Sequence, residues 1–336
     1  MLPPMIMPAE WAPHERTLMA WPRRREIWGP LMADANRETA GVANAIAAFE
    51  PLTMVAGSPD DAREARAALT GDVEVVELPI DDSWLRDSGP IFVVDDPERP
   101  TRRAGVHWGF NAWGGKFPPW DNDQAIGGAL VERLGDEVLR GPMVLEGGAI
   151  AVDGAGRLLT TEQCLLHPNR NPDLSREQIE ANLRELLGLE QVIWLGAGLA
   201  EDRDTDGHVD LIADFTAPGR VLLQSAEPGS PNHEPMAANR ERALAAGLEV
   251  DDFPLLVYAR VNGEEVAASY LNFYVGNGFV VVPTSGDADM DAEALGLIGE
   301  ALPGREVVGT PGLTLAYGGG GPHCITQQVP SVEPRG

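Results

Sequence analysis

Lysine is all but missing from this chain: Lys116 is the only one, and arginine supplies the rest of its 25 cationic side chains. Against them stand 52 Asp and Glu residues, for a formal net charge of −27. So little positive charge cannot build a domain-wide basic face, which excludes nucleic acid as a partner. The imbalance suits a cationic substrate drawn in over a distance, and it equally suits plain solubility, including in a salty cytoplasm. The preference for arginine is read as coding bias. Cysteine is scarce as well, at Cys164 and Cys324 only. Two thiols make neither a disulfide framework nor a structural zinc site; they fit a reducing cytoplasm, and one of them could be a catalytic nucleophile. No apolar run reaches about 18 residues, so no membrane-spanning helix and no membrane partner are expected. The opening MLPPMIMPAEW has no basic stretch, and Pro3, Pro4 and Pro8 break its apolar part, unlike a signal peptide. A cytoplasmic location is the expectation.

What is present is ordinary for a globular protein. The apolar fraction of 43% is enough for a sizeable core. The stretches richest in Gly and Pro (109–119, 227–232 and 309–322) are short and read as loops, so residues 1–336 are expected to form one domain. Apolar spacing and end signals predict helices over 34–49, 58–71, 123–135, 174–188, 233–247 and 291–303. The fourth carries a capping box, Ser175 with Gln178, and stops at Gly188. Strands are predicted at 73–80, 91–96, 157–161, 191–195, 220–225 and 279–283. The midpoints of the five later helices fall roughly 50 to 65 residues apart, as in repeated supersecondary units. A β/α unit repeated about five times and an ordinary α/β sandwich fit this spacing equally well.

Four segments hold residues suited to chemistry. In LAYGGGGPHCITQQ (315–328), four glycines allow a sharp turn and close approach before Cys324, which is expected to be exposed enough to react. Cys164 lacks such a setting and reads as a small apolar core residue. In GHVDLIAD, His208 and Asp210 are two apart, on one face if the segment is a strand, as suits a base beside a carboxylate. In DDSWLRDSGP, Asp87 precedes a turn, three residues after Trp84; it either acts or merely caps. In MVLEGGAIAVD, Glu146 sits between apolar residues and paired glycines, so it needs a buried partner, for which His208 is a natural candidate. Each segment alone has an ordinary structural explanation.

Taken together and in order, they resemble the agmatine deiminases of the guanidine-modifying (pentein) superfamily, related to bacterial-type peptidylarginine deiminases. The resemblance rests on PAEWAPHERTLMAWP (8–22), WLRDSGP (84–90), GVHWGFNAWGGK (105–116), PWDND (119–123) and LEGGAI (145–150). It continues through TTEQCLLHPNRNP (160–172), DTDGHVD (204–210), ASYLNFYVGNG (268–278) and GGGGPHCITQQ (318–328). It implies a five-bladed α/β propeller of ββαβ units around a central active site. It also implies Cys324 as nucleophile, His208 as general acid/base, and Glu146 as the carboxylate orienting His208. Asp87 and Asp210 would grip a guanidinium, with Trp84 and Trp113 walling its pocket. The implied reaction, through a covalent thiouronium, converts a small cationic guanidine, agmatine first, to a ureido product and ammonia, with no metal and no cofactor. Two departures from the family pattern, Leu211 after HVD and Gly321-Pro322 before His-Cys, leave the choice among guanidines open. Peptidyl-arginine or another small guanidine compound is the alternative substrate. An amide-cleaving Cys-His hydrolase would have no use for two guanidinium-gripping carboxylates, and a non-catalytic binding propeller would not need Cys324 or His208. Homo-oligomerisation is left open.

Overall fold

A computed structural model describes residues 5–333. Its elements repeat one pattern. An antiparallel pair of strands is followed by a helix that returns the chain to a third strand, parallel to the second. This happens in Ile91–Val94, Arg103–Gly109, helix Asp121–Leu134 and Glu137–Val144. It recurs in Ile150–Val152, Arg157–Thr161, helix Arg176–Leu187 and Gln191–Leu195. Ala213–Ala217, Arg220–Gln224, helix His233–Ala245 and Glu249–Phe253 repeat it, as do Tyr274–Gly276, Phe279–Thr284, helix Ala288–Ala301 and Glu306–Pro311. Parallel neighbours require such a crossover, and a helix covering the sheet is its usual form.

The remaining unit joins the two ends of the chain. The late strand Thr326–Pro330 pairs antiparallel with His14–Ala20, which runs parallel to Leu52–Ala56 across helix Met32–Ala47. A second crossover, helix Pro59–Ala68, adds Val73–Glu77 at the edge. A hairpin, Val257–Val261 with Glu264–Ala268, stands apart. Among the described residues the hydrogen-bonded sheets are separate and none closes on itself.

The helix signals act as expected. Ser175 and Gln178 form the capping box, and Gly188 takes a left-handed φ of 68° as C-cap. Gly135 ends its helix the same way, at φ 77°. Most helix boundaries shift by up to two residues, and two move by three. The helix expected over 58–71 starts on Pro59, capped by Ser58, but ends at Ala68. The one expected from residue 291 begins at Ala288, because Asp287 accepts from the backbone N–H groups of Asp289 and Met290. A larger correction concerns GHVDLIAD, which is not a strand at its start. Val209–Leu211 is a short 3-10 turn, and the strand begins only at Ala213.

Each helix buries one face on its sheet. In helix Arg176–Leu187 the buried residues are Ile179, Leu183 and Leu187, spaced by four, packed in a cluster with Cys164, Trp108 and Trp194. Leu183→Ala is expected to cost ~2–5 kcal/mol, while Glu185→Ala on the exposed face should stay within about 0.5 kcal/mol. Urea unfolding of both variants measures the difference.

Candidate active site

One short segment in each repeat leads into its first strand, and these five segments carry the polar residues of interest. Asp87 lies in the short helix Leu85–Ser88 ahead of Ile91–Val94. Glu146 precedes Ile150–Val152, and His208 and Asp210 precede Ala213–Ala217. Asn272 stands before Tyr274–Gly276, and Cys324 before Thr326–Pro330. Residues up to 237 positions apart are thereby brought together.

Cys324 lies at the centre. Its Sγ is 3.3 Å from Asp210 Oδ2 and accepts from Asn272 Nδ2 at 3.1 Å. Asn272 Oδ1 also accepts from the Cys324 backbone N–H at 3.3 Å. The thiol is not exposed as the glycine loop suggests: Cys324 is 3% accessible. The glycines serve closeness instead. A Cβ on Gly320 would fall 2.8 Å from Sγ and 2.7 Å from the Trp84 ring. Burial, reinforced by the negative Asp210 and Asp87, pushes the Cys324 thiol well above its ordinary range.

Asp87 is gripped by dipoles. Trp113 Nε1 donates to its Oδ2 and the Gly148 N–H to its Oδ1, both at 2.9 Å. Trp113 reaches it from a strained turn in which Ala112 and Trp113 hold φ of 53° and 54°. Burial, with Asp210 and Glu146 nearby, raises the Asp87 carboxyl above its usual range. His208 Nδ1 lies 3.8 Å from Asp87 Oδ1 and 4.0 Å from Asp210 Oδ1, and neither ring nitrogen has a hydrogen-bond partner among the described residues. The three side chains meet over Gly148. A Cβ there would stand 2.6 Å from His208 Nδ1, 2.8 Å from Asp210 Oδ2 and 2.9 Å from Asp87 Oδ1.

Glu146 corrects an expectation. Its hydrogen-bonded partner is not His208 but Arg170, whose Nε donates to Oε1 at 2.5 Å with both side chains fully buried. Arg170 also binds Asp206 Oδ2 at 2.7 Å and the Thr205 carbonyl at 2.9 Å. The Glu146, Cys164 and His208 ligand-type atoms lie within 4.8 Å of one another, with Arg170 already providing the cation on Glu146. Cys164 is buried in a core cluster as expected, with that polar edge beside it.

The cleft above Cys324 is walled by Trp84 and Trp113, with Asp87, Phe117 and Asp204 also lining it. It opens toward a hollow lined by Glu26, Asp81, Lys116, Asp204 and Glu264. Lys116 pins one rim, donating to the carbonyls of Arg203 and Asp204 and to Asp206 Oδ1, each at 2.8 Å.

Three residues that hold this polar cluster together were missed by reading the sequence. Asn272 and Arg170 lie inside segments that carry the resemblance, with no local signal of their role. His323, adjacent to the nucleophile candidate, donates to or accepts from Asp210 Oδ2 through Nδ1 at 2.8 Å and Glu10 Oε1 through Nε2 at 2.9 Å.

Residues 6–330 match the family model described as Porphyromonas-type peptidyl-arginine deiminase. An agmatine deiminase of Stutzerimonas stutzeri is 42% identical over 97% of this chain and 95% of its own length. The solved agmatine deiminase of Enterococcus faecalis superposes with a TM-score of 0.90 at 35% identity, covering 97% of this chain and 96% of its own. A C. jejuni agmatine deiminase, solved as a cysteine-to-serine variant with substrate bound, gives a TM-score of 0.90 at 26% identity over 98% of this chain and 97% of its own.

In the ligand-free protein, alkylation of Cys324 by iodoacetamide should be slow at neutral pH and climb throughout the alkaline range, since only the thiolate reacts. Mass spectrometry of the Cys324 peptide measures this. A rate already level by pH ~7 would contradict the raised thiol.

Proposed function

Because the chain belongs to the Porphyromonas-type peptidyl-arginine deiminase family, we propose that it hydrolyses agmatine to N-carbamoylputrescine and ammonia through Cys324. The observation that carries this reading is the set of acids beside the thiol. Asp87 and Asp210 flank it, and Asp210 Oδ1 is buried without a hydrogen-bond partner among the described residues. A planar guanidinium offers forked N–H donors that suit two such carboxylates, and the charge strengthens each bond. The indoles of Trp84 and Trp113 accept the flat cation against their faces. Relatives named agmatine deiminase at about this chain's full length support the same substrate.

The chemistry follows from the charges. In the empty site the two acids oppose thiolate formation; a bound guanidinium neutralises them and reverses that effect. His208 takes the thiol proton as Sγ bonds to the guanidinium carbon, then delivers it to the nitrogen that leaves as ammonia. A covalent thiouronium remains. Water attacks its carbon and His208 accepts one water proton; the C–S bond breaks as the proton of the new hydroxyl passes to sulfur, which releases the ureido product and restores the thiol, and His208 returns its proton to solvent. Glu146, itself clamped by Arg170, lies within 4.8 Å of His208 and supplies a negative charge beside its ring. Side chains and water carry every step.

Asp204 lines both the cleft and the hollow outside it. An acid at that mouth attracts the distal ammonium of agmatine and repels the α-carboxylate of free arginine. We read the four three-strand units and the four-strand unit that joins the chain ends as blades of a five-bladed α/β propeller formed by a single domain, with the site on its axis. A reducing cytoplasm would keep Cys324 competent.

Purified protein should release ammonia from agmatine, with free arginine and an arginine-containing peptide turned over at least ~100-fold less efficiently. Cys324→Ser should abolish turnover without loss of fold, and Asp210→Asn should lower kcat/KM by about 100-fold or more. Preference for the peptide would reassign the substrate; full activity of Cys324→Ser would remove the nucleophile.

A further inference from the structure

The mechanism above leaves His323 unused, although it touches two acids and adjoins the nucleophile. Its side chain is almost wholly buried, and each ring nitrogen faces a carboxylate: Nδ1 to Asp210 Oδ2 at 2.8 Å, Nε2 to Glu10 Oε1 at 2.9 Å. Glu10 is bound in turn by Arg86 Nη1 at 2.9 Å, which also donates to Gln328 Oε1 at 2.8 Å. The charges alternate along a buried row: Asp210, His323, Glu10, Arg86.

We propose that His323 is a positioning residue, whose imidazolium commits Asp210 Oδ2 and so presents Oδ1 to the guanidinium of the substrate. The inference rests on the reading of Asp210 as a guanidinium-binding carboxylate. With both nitrogens engaged, His323 has no free atom to exchange a proton with substrate, which sets it apart from His208. Asp210 is the reverse case: Oδ2 is held by His323 and the thiol, while Oδ1 is buried and unpartnered among the described residues. With Oδ2 tethered, Oδ1 is kept on the side of His208, 4.0 Å from its Nδ1.

The charged surroundings favour the cationic ring. Burial and Arg86 oppose it, yet Glu10 and Asp210 raise His323 to about 9. Glu10 is driven down to about 2, although burial opposes this, because Arg86 and His323 outweigh it, with His14 behind. Asp214, across a small gap from His323, is pushed up to about 8 by burial and Glu10, so near neutral pH it is uncharged and does not compete. For Asp210, burial opposes ionisation, and His323 reverses the balance to below the usual carboxylate range. Removing the imidazolium therefore raises Asp210, and the acid limb of kcat/KM moves to higher pH.

The loop does not depend on the imidazole. The His323 backbone N–H donates to the Asn272 carbonyl, and its carbonyl accepts from Arg86 Nε and Thr326 Oγ1. Three variants of the full chain test the proposal by steady-state kinetics on agmatine across pH. His323→Ala should raise KM about tenfold or more and move the acid limb up by about one unit or more. His323→Asn, which keeps a donor near Nδ1 without the charge, should recover part of KM while the limb stays displaced. Glu10→Gln removes one anion from the ring, so the alkaline fall of kcat/KM should move to lower pH, where the ring now loses its proton. A folded His323→Ala with wild-type KM and acid limb would overturn the proposal. Should that variant not fold, an unchanged pH profile in Glu10→Gln would overturn it. Wild-type protein inert toward agmatine would instead sink the functional reading.

Discussion

Carboxylates removed from water must find cations or strong donors, and around Cys324 the chain supplies them unevenly. Glu146 has Arg170, Glu10 has Arg86 and His323, and Asp210 has His323 on one oxygen only. Asp87 is held by an indole N–H and a backbone N–H, which are dipoles rather than charges. The cost of burying acids that way is real, and its signature is the raised Asp87 carboxyl and raised Cys324 thiol. A flat cation seated between the acids would relieve both. Substrate binding and activation of the nucleophile are then one electrostatic event, since the charge that satisfies the carboxylates also stabilises the thiolate.

The topology makes this concentration of charge feasible. Each repeat enters its first strand through a short polar segment, and the five segments meet. Because the backbone there is not yet in a ladder, it is free to donate to side chains, as the Gly148 N–H does to Asp87. The pairing of Thr326–Pro330 with His14–Ala20 brings Cys324 and Glu10 into the same neighbourhood from opposite ends of the chain. The rim is fastened separately, by the single lysine, to the 203–206 loop.

Much of this was legible in the sequence. Helix ends follow local rules, so Ser175 with Gln178, Gly188 and Gly135 were readable from neighbouring residues alone. The strands 157–161 and 191–195 agree with Arg157–Thr161 and Gln191–Leu195 to the residue. The polar site was legible as a set of residues but not as a set of bonds. Glu146 needed a buried partner, and nothing local distinguishes His208 from Arg170, both distant in sequence. In a strand, alternation would put His208 and Asp210 on one face; Asp210 lies instead in a 3-10 turn with His208 as its N-cap. Four glycines suggested an exposed thiol, whereas they let a loop pack onto a buried one. Asn272 and His323 act through tertiary contacts that no spacing encodes.

A cleft bordered by these acids is built for positive charge more than for the shape of a guanidine. Calorimetric titration of Cys324→Ser compares agmatine with N-carbamoylputrescine, in which a neutral ureido group of nearly equal size replaces the guanidinium while the distal ammonium is kept. The guanidinium compound is expected to bind at least about 100-fold more tightly. Equal affinity for the two would contradict the account.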